Sequence, residues 1–171
     1  IVYIDGGHHG NEYLGTALAW LTAKWYINEW NAQNEEAIKV LQNTELHILI
    51  MLNPDGNDFD TLHNQNLTTT ANPFASEPVP TGIDLNRNYD HYWDDCSPSD
   101  PFAPGTGPVS EPETKANSVY MNTVVQDADL YVTMHTGVWI MLYPWGKWSE
   151  QPPDWELFHG IREEVNAGIS D

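Results

Sequence analysis

The residues best suited to chemistry stand together near the start of the chain, in the stretch Asp5-Gly6-Gly7-His8-His9-Gly10-Asn11-Glu12. His9 and Glu12 are three residues apart, so both side chains can converge on one point if Glu12 lies in the first turn of a helix. An imidazole and a carboxylate that converge in this way are two ligands of a typical catalytic zinc site. Such a site has three protein ligands and leaves the fourth position to water.

A candidate third ligand, His135, follows an apolar run much later in the chain. If that run and the run before His9 are neighbouring parallel strands, both rings reach the same edge of a sheet. His9, Glu12 and His135 then form a His2Glu set, which suits a hydrolytic zinc. His8 competes with His9, because His8 and Glu12 are at positions i and i+4, and the residues alone leave both open. The remaining histidines are predicted in a strand or on the surface: His47 within the sheet, and His63, His91 and His159 in surface roles.

Arg87 is the second chemical signal, because the chain contains only two arginines. The other, Arg162, stands beside Glu163 and Glu164, where a solvated ion pair explains it. Arg87 lies between two asparagines, and a guanidinium fork beside the amide of Asn86 is well made to bind a carboxylate. An internal salt bridge to one of the 25 acidic residues is an equally good explanation at this level.

The elements that must position these residues alternate between strand and helix. Strands are predicted over 1–4, 45–52, 129–134 and 138–143. Helices are predicted over 12–30, 35–42, 155–167 and from the capping box Ser110-Glu111-Pro112-Glu113 to about residue 125. The run over 45–52 is almost continuously apolar, as in a strand buried on both faces of an α/β sheet. The turn Asn53-Pro54-Asp55-Gly56 ends it, and no regular element is predicted over 57–81.

Composition limits the possible classes of protein. The chain has 171 residues, of which 40% are hydrophobic, which predicts one domain with a sizeable core. A formal net charge of -19 makes nucleic acid and anionic membranes poor partners. It also fits an extracellular or secreted location. The single cysteine excludes an internal disulfide and a cysteine metal cluster. The chain opens directly on a strand, so we expect it to be part of a longer protein.

Six motifs in order carry a resemblance. The set resembles the zinc carboxypeptidase family from the first residue to about residue 148, and it consists of His9-x-x-Glu12, Asn53-Pro54-Asp55-Gly56, Asp84-Leu85-Asn86-Arg87-Asn88, Ser110-Glu111-Pro112-Glu113, His135 and Tyr143-Pro144-Trp145-Gly146. The resemblance implies an α/β fold with a mixed central sheet and helices on both faces, incomplete at both ends. Residues 1–171 would form a partial catalytic domain.

The same resemblance implies roles for individual residues. His9 rather than His8 would hold zinc together with Glu12 and His135. The substrate side of the site would consist of Asn86 and Arg87, which would bind the terminal carboxylate, and Thr136, whose backbone would contact the substrate. It also implies cis peptide bonds between Thr136 and Gly137 and between Pro144 and Trp145.

The sequence departs from the family pattern in two places. The family has an arginine that polarises the scissile carbonyl, whereas residues 57–84 contain no Arg and no Lys. In the family pattern the general base, a glutamate, and the mobile tyrosine come well after the Tyr143-Pro144-Trp145-Gly146 turn, so both are expected beyond Asp171. Glu163 and Glu164 resemble surface residues instead.

The predicted function is a zinc-dependent exopeptidase that hydrolyses the C-terminal peptide bond of peptides or proteins. Zinc would lower the pKa of its bound water, and a glutamate would accept the proton. Two alternatives stay open: an N-acyl amino acid deacylase of the same fold, and a non-catalytic peptide-binding or surface module. The absence of the polarising arginine favours the second alternative.

Overall fold

The computed structural model describes residues 1–65, 82–93, 104–138, 140–146 and 149–169. The chain divides into two compact units, Ile1–Gly137 and Val138–Asp171. In the first unit the described elements are β1 (Val2–Gly6), α1 (Tyr13–Asn31), α2 (Glu35–Asn43), β2 (Leu46–Leu49), α3 (Pro54–Asp58), a 3-10 turn (Leu85–Arg87), α4 (Pro112–Thr123) and β3 (Leu130–Met134). The second unit contains α5 (Trp155–Ile169). No helix in the described ranges is long and apolar enough to cross a membrane.

β1 is the central strand of the sheet. The described strands have the order β2-β1-β3, and both pairs are parallel, with Ile4 opposite Ile48 on one side and Val132 on the other. Because parallel strands end at the same edge, the segments that follow β1 and β3 are brought together there. The strand predicted over 45–52 is shorter than expected, because beyond β2 the chain continues with isolated backbone hydrogen bonds to Gly6 and Gly7. It is half-buried rather than buried on both faces, since β2 is at the edge of the described sheet.

α1 covers one face of the sheet at close range. A Cβ atom on Gly6 would lie 2.7 Å from the carbonyl oxygen of Gly15 and 3.2 Å from the Cβ of Ala19. A Cβ on Gly15 would lie 2.4 Å from the carbonyl oxygen of Met134. Glycine is therefore required at both positions, since any side chain would push the helix away from the ends of β1 and β3.

α4 covers the opposite face of the sheet. Tyr3, which contacts α4, and Gly6, which lies against α1, are three residues apart in β1 and therefore face opposite sides of the sheet. The buried hydroxyl of Tyr3 donates a hydrogen bond of 2.6 Å to Asn117 Oδ1. The Tyr3 ring packs against Tyr120 of α4 and stacks on Tyr131 of β3. The predicted α/β class with helices on both faces is confirmed.

The start of α4 differs from the predicted capping box. The N-cap residue is Glu111, and its side chain makes no capping hydrogen bond. Ser110 Oγ instead donates to Glu111 Oε1 at 2.8 Å, while the backbone N–H of Glu111 donates to Asn88 Oδ1. A residue distant in sequence thus takes the place of the local cap, and the capping box was the wrong interpretation.

The predicted turn at Asn53-Pro54-Asp55-Gly56 begins a short helix. Asn53 is the N-cap of α3, and its Oδ1 accepts a hydrogen bond of 2.9 Å from the N–H of Gly56. Proline at the first helical position fits, because its missing N–H is one that a helix leaves unpaired there. This helix lies against the turn after β1, since a Cβ on Gly10 would meet the backbone of Gly56 at 2.1 Å.

In the second unit, the described residues of the segment 138–143 do not form the predicted strand, and Val138, Ile140 and Leu142 are exposed. A strand needs a partner for its backbone groups, and the described part of this unit contains a helix but no second strand. The bond between Pro144 and Trp145 is cis, as expected, whereas no cis bond is found between Thr136 and Gly137.

Candidate metal centre

The three predicted metal ligands meet at the carboxyl edge of the sheet. His9 and Glu12 belong to the turn between β1 and α1, and His135 directly follows β3. One ligand atom from each of the three lies within 4.8 Å of the others, the only such group in the described ranges. The group is somewhat wider than the 3–4 Å expected from metal–ligand distances of about 2 Å.

The Glu12 carboxylate joins the two histidines. Its Oε1 lies 2.7 Å from His9 Nδ1, and its Oε2 lies 2.9 Å from His135 Nδ1. The N–H of Thr136 donates to the same Oε2 at 2.9 Å. Both rings therefore present Nδ1 to one carboxylate.

Asp84 holds the other side of the His9 ring, a role that the sequence analysis missed. Its Oδ1 lies 3.1 Å from His9 Nε2 and accepts the backbone N–H of Asn86 at 2.9 Å. The Asp84 side chain is fully buried. A carboxylate behind a metal-ligating histidine orients the ring and strengthens it as a ligand. The available signal was an aspartate next to the predicted Asn86-Arg87 pair, but 75 residues separate Asp84 from His9.

Electrostatics couple His9 to its two carboxylates. Burial lowers the pKa of His9, but the hydrogen bonds with Asp84 and Glu12 outweigh burial, so the net shift of the pKa is upward. Burial likewise raises the pKa of Glu12, but the hydrogen bonds from His9 and the Thr136 N–H outweigh it, so that pKa is lowered. In the absence of a metal, the site therefore favours an ion pair between His9 and Glu12.

The donor set fits a zinc ion. Two imidazole nitrogens and a carboxylate form the His2Glu composition of catalytic zinc sites. The three side chains are 12%, 19% and 26% exposed for His9, Glu12 and His135, so the group is accessible from solvent. A metal would replace the protons that now lie between Glu12 and the two rings, and Asp84 would remain behind His9.

Both ring nitrogens of His8 have their partners outside this group, at Tyr89 and Thr133. His8 is 1% exposed, and its Nε2 lies 2.8 Å from the hydroxyl oxygen of Tyr89 on the α4 side of the sheet. Burial lowers the pKa of His8 to about 4, so the ring is neutral at pH 7. Of the two histidines that the residues left open, the structure brings His9 to Glu12.

Two of the other histidines are explained by their contacts. His47 lies in β2 as predicted, with Nδ1 2.6 Å from the Tyr120 hydroxyl. His63 was predicted on the surface but is only 7% exposed, and burial lowers its pKa. The reason is that its neighbour Asn64 hydrogen-bonds the backbone of Ile83, which draws the loop inward.

The predicted carboxylate-binding pair lies on the 3-10 turn that follows Asp84. Asn86 is exposed and Arg87 is half-buried, with Nη1 donating to the Asn86 carbonyl at 3.2 Å. Asp84 contacts both His9 and the N–H of Asn86, so this turn starts beside His9, Glu12 and His135, which we call the metal group. Thr136 contacts the group through its N–H.

A parallel α/β sheet with a His2Glu group at its carboxyl edge has the arrangement of a mononuclear metal centre. The family model described as Zinc carboxypeptidase matches residues 1–171. The chain therefore belongs to the zinc carboxypeptidase family.

Curated relatives agree with this membership. The chain is 27% identical to carboxypeptidase B of Astacus astacus, in an alignment that covers 99% of the chain and 61% of the relative. It is 30% identical to human carboxypeptidase O over 85% of the chain and 40% of the relative. The chain thus spans between two fifths and three fifths of the length of these two relatives.

Solved structures show the same fold. Bovine thrombin-activatable fibrinolysis inhibitor, solved in complex with tick carboxypeptidase inhibitor, superimposes with a TM-score of 0.76 at 22% identity, covering 95% of this chain and 54% of that one. Carboxypeptidase A from Helicoverpa armigera gives a TM-score of 0.69 at 21% identity, covering 99% and 41%.

Proposed function

We propose that this chain forms part of the catalytic domain of a zinc-dependent exopeptidase that removes C-terminal residues from peptides or proteins. The observation that carries the proposal is the Glu12 carboxylate, which joins His9 to His135 at the sheet edge where the Asn86-Arg87 turn begins. The acidic surface and the family membership support an extracellular location.

Under this proposal the chain's own residues hold and orient the metal. His9 Nδ1, His135 Nδ1 and the Glu12 carboxylate are the ligands. Asp84 fixes the His9 ring from behind, and the Thr136 N–H fixes the Glu12 carboxylate. When bound, zinc supplies a Lewis acid and lowers the pKa of its water ligand.

Arg87 and Asn86 are the proposed recognition residues for the free C-terminus. A guanidinium and an amide supply several donors to one carboxylate, and the chain offers few other cations to compete. Holding the terminal carboxylate beside His9, Glu12 and His135 would bring the last peptide bond to the metal site, which would make the reaction effectively unimolecular.

The test uses the chain's two arginines as a matched pair, in the protein that contains this chain, loaded with zinc. Arg87→Ala should lower kcat/KM for a peptide with a free C-terminus by about 30- to 1000-fold, the size of a lost desolvated charge-assisted contact. Arg162→Ala is the control, because Arg162 is paired with its neighbour Glu163 at 2.6 Å, and it should stay within about twofold of wild type.

The substrates in this test separate the alternatives. A C-terminally amidated peptide should be cleaved poorly by wild type. Equal cleavage of the amidated and free peptides would refute carboxylate recognition. Cleavage of N-acyl amino acids without cleavage of peptides would identify a deacylase, and binding without turnover would identify a peptide-binding module.

A further inference from the structure

A ring of four polar side chains lies between the sheet and α4, next to the metal group. Three of its four contacts are hydrogen bonds, and the fourth is a close approach of His8 to Asp5. The ring consists of Asp5, His8, Tyr89 and Asn117, of which Asp5, His8 and Asn117 are at most 3% exposed. Asn117 Nδ2 donates to the Tyr89 hydroxyl oxygen at 2.8 Å and lies 3.4 Å from Asp5 Oδ2. The Tyr89 hydroxyl is 2.8 Å from His8 Nε2, and His8 Nδ1 is 3.4 Å from Asp5 Oδ1.

The available donors and acceptors define which group donates the hydrogen at each contact of this ring. Asn117 Nδ2 can only donate, so the Tyr89 oxygen accepts from it and keeps its own hydrogen for His8 Nε2. The proton of the neutral His8 ring is then on Nδ1. That position faces Asp5 Oδ1, a buried oxygen with no hydrogen bond among the described residues, and Thr133 Oγ1 at 3.3 Å.

Tyr89 is also the last of a series of anchored residues around the Asn86-Arg87 pair. Asp84 is anchored to His9 Nε2 at the start of the segment. Asn88 is fully buried, and its amide donates to the carbonyl oxygens of Pro104 and Gly107. Asn86 and Arg87 are the two residues between these anchors that reach solvent.

We propose that His8 is a positioning residue for carboxylate recognition: through its hydrogen bond with Tyr89 it sets the place of the Asn86-Arg87 turn relative to His9. This inference rests on the proposed function, since it assigns recognition to that pair. It explains why two adjacent histidines leave β1 in different directions, one toward the metal group and one toward the segment that completes the site.

A competing role for His8 is support of the metal ligand His135, because the two rings stack with centroids 5.6 Å apart and planes at 25°. The two roles predict different losses. Displacing the Asn86-Arg87 turn weakens ground-state and transition-state binding alike, so KM rises while kcat is unchanged. Displacing His135 weakens metal binding instead.

The test compares two amide replacements of His8. The amide of His8→Gln reaches the position of Nε2 and can keep the bond with Tyr89, whereas that of His8→Asn reaches only the position of Nδ1. We expect His8→Asn to raise KM for a C-terminally free peptide about tenfold, as for one lost buried hydrogen bond, with kcat within about twofold. His8→Gln should stay within about threefold of wild type.

Tyr89→Phe removes the same bond from the other side and serves as the second variant if His8→Asn does not fold. It should raise KM by at least a similar factor, because it also removes the acceptor of Asn117 Nδ2. The double variant His8→Asn/Tyr89→Phe should be no worse than Tyr89→Phe alone, because the contact between His8 and Tyr89 is already lost in that variant. The cobalt-loaded variants should keep the wild-type visible spectrum. Binding of an N-acetylated amino acid to the metal-free variants should weaken in parallel with KM.

Three results would overturn the inference while wild type still cleaves peptides. These are an unchanged KM in both His8→Asn and Tyr89→Phe, additive losses in the double variant, or a loss of metal affinity with KM intact. Failure of wild type to cleave any C-terminally free peptide refutes the proposed function instead. The binding measurement on the metal-free protein then decides whether His8 still positions the turn.

Discussion

Two clusters that each pair a histidine with a carboxylate lie at the same end of the sheet. In the metal group, His9 and His135 both aim Nδ1 at the Glu12 carboxylate, and all three side chains are partly exposed. In the buried ring, Asp5 and His8 are at most 1% exposed, and they contact the Tyr131 hydroxyl of β3, the Asn117 amide of α4 and the Tyr89 hydroxyl beyond the 3-10 turn.

The difference is one of exchangeability. The contacts within the metal group are hydrogen bonds between side chains that are good metal ligands, so a metal ion can replace the shared protons. The ring offers a metal no open approach, and each of its bonds ties one element of the fold to another. The adjacent residues His8 and His9 therefore differ in their surroundings: His8 makes buried contacts that join separate segments of the fold, whereas His9 belongs to the predicted metal site. Variants in the two clusters test that division.

The largest effect is expected on folding, from Asp5→Ala. Asp5 Oδ2 accepts the Tyr131 hydroxyl at 2.7 Å and a longer hydrogen bond of 3.4 Å from Asn117 Nδ2, so removing the carboxyl leaves the Tyr131 hydroxyl without this acceptor inside the protein. The free energy of unfolding should fall by about 1–3 kcal/mol, measured by denaturant titration. A loss below about 1 kcal/mol would show that the buried ring contributes little to holding these segments of the fold together.

His135→Ala should break the other cluster without unfolding the protein. Zinc affinity, measured by competition with a chelating dye, should fall by about 10²–10³-fold, because one of three ligands is lost. The free energy of unfolding of the metal-free protein should change by less than about 1 kcal/mol, since a partly exposed pair of this kind contributes little. His159→Ala is the control and should leave zinc affinity unchanged.

Asp84→Asn should have an intermediate effect on metal binding. The amide still fills the space behind His9, but it no longer holds the ring with a charge, and loss of such a partner costs about 10–100-fold in metal affinity. An affinity within about twofold of wild type would mean that the contact between Asp84 and His9 does not serve the metal.

The pH dependence of the metal-free protein tests the coupling within the metal group. The pKa of His9 is raised above 6.5, so its stabilising contribution is complete below pH 6.5 and is lost as pH rises through the raised pKa. The pKa of Glu12 is lowered below 4.5, so its contribution is present above pH 4.5 and is lost as pH falls through the lowered pKa.

The contribution of the pair should therefore be greatest between pH 4.5 and 6.5, and His9→Gln should flatten this part of the stability profile. Thermal unfolding at a series of pH values measures it. An identical profile in wild type and His9→Gln would contradict the ion pair.

The smallest effect is expected for Tyr13→Phe. Tyr13 directly follows Glu12, and its exposed hydroxyl donates to Asp60 Oδ1 at 2.8 Å. An exposed hydrogen bond of this kind contributes about 0.5 kcal/mol or less, so stability and zinc affinity should both stay near wild type. A large loss of zinc affinity would mean that Tyr13, the first residue of α1, contributes to metal binding.

Features that depend only on residues close together in the sequence were predicted well. The spacing of His9 and Glu12 indicated convergence, and α1 and α2 occur as Tyr13–Asn31 and Glu35–Asn43, close to the predicted ranges. Local hydrogen bonds and apolar periodicity determine such features. The order of the motifs identified the family, which the match over residues 1–171 confirmed. The metal and substrate roles of individual residues stay predictions.

Tertiary structure decided what depends on distant partners. Asp84 contacts His9 across 75 residues, and Asn88 replaces the predicted local cap of α4. The strand predicted over 138–143 is absent from the described residues because apolar residues form a strand only where another strand offers its backbone groups. The different surroundings of His8 and His9 arise in the same way. The two residues are adjacent and both lie within four residues of Glu12, but His9 contacts Glu12 and the distant Asp84, whereas His8 contacts the distant Tyr89.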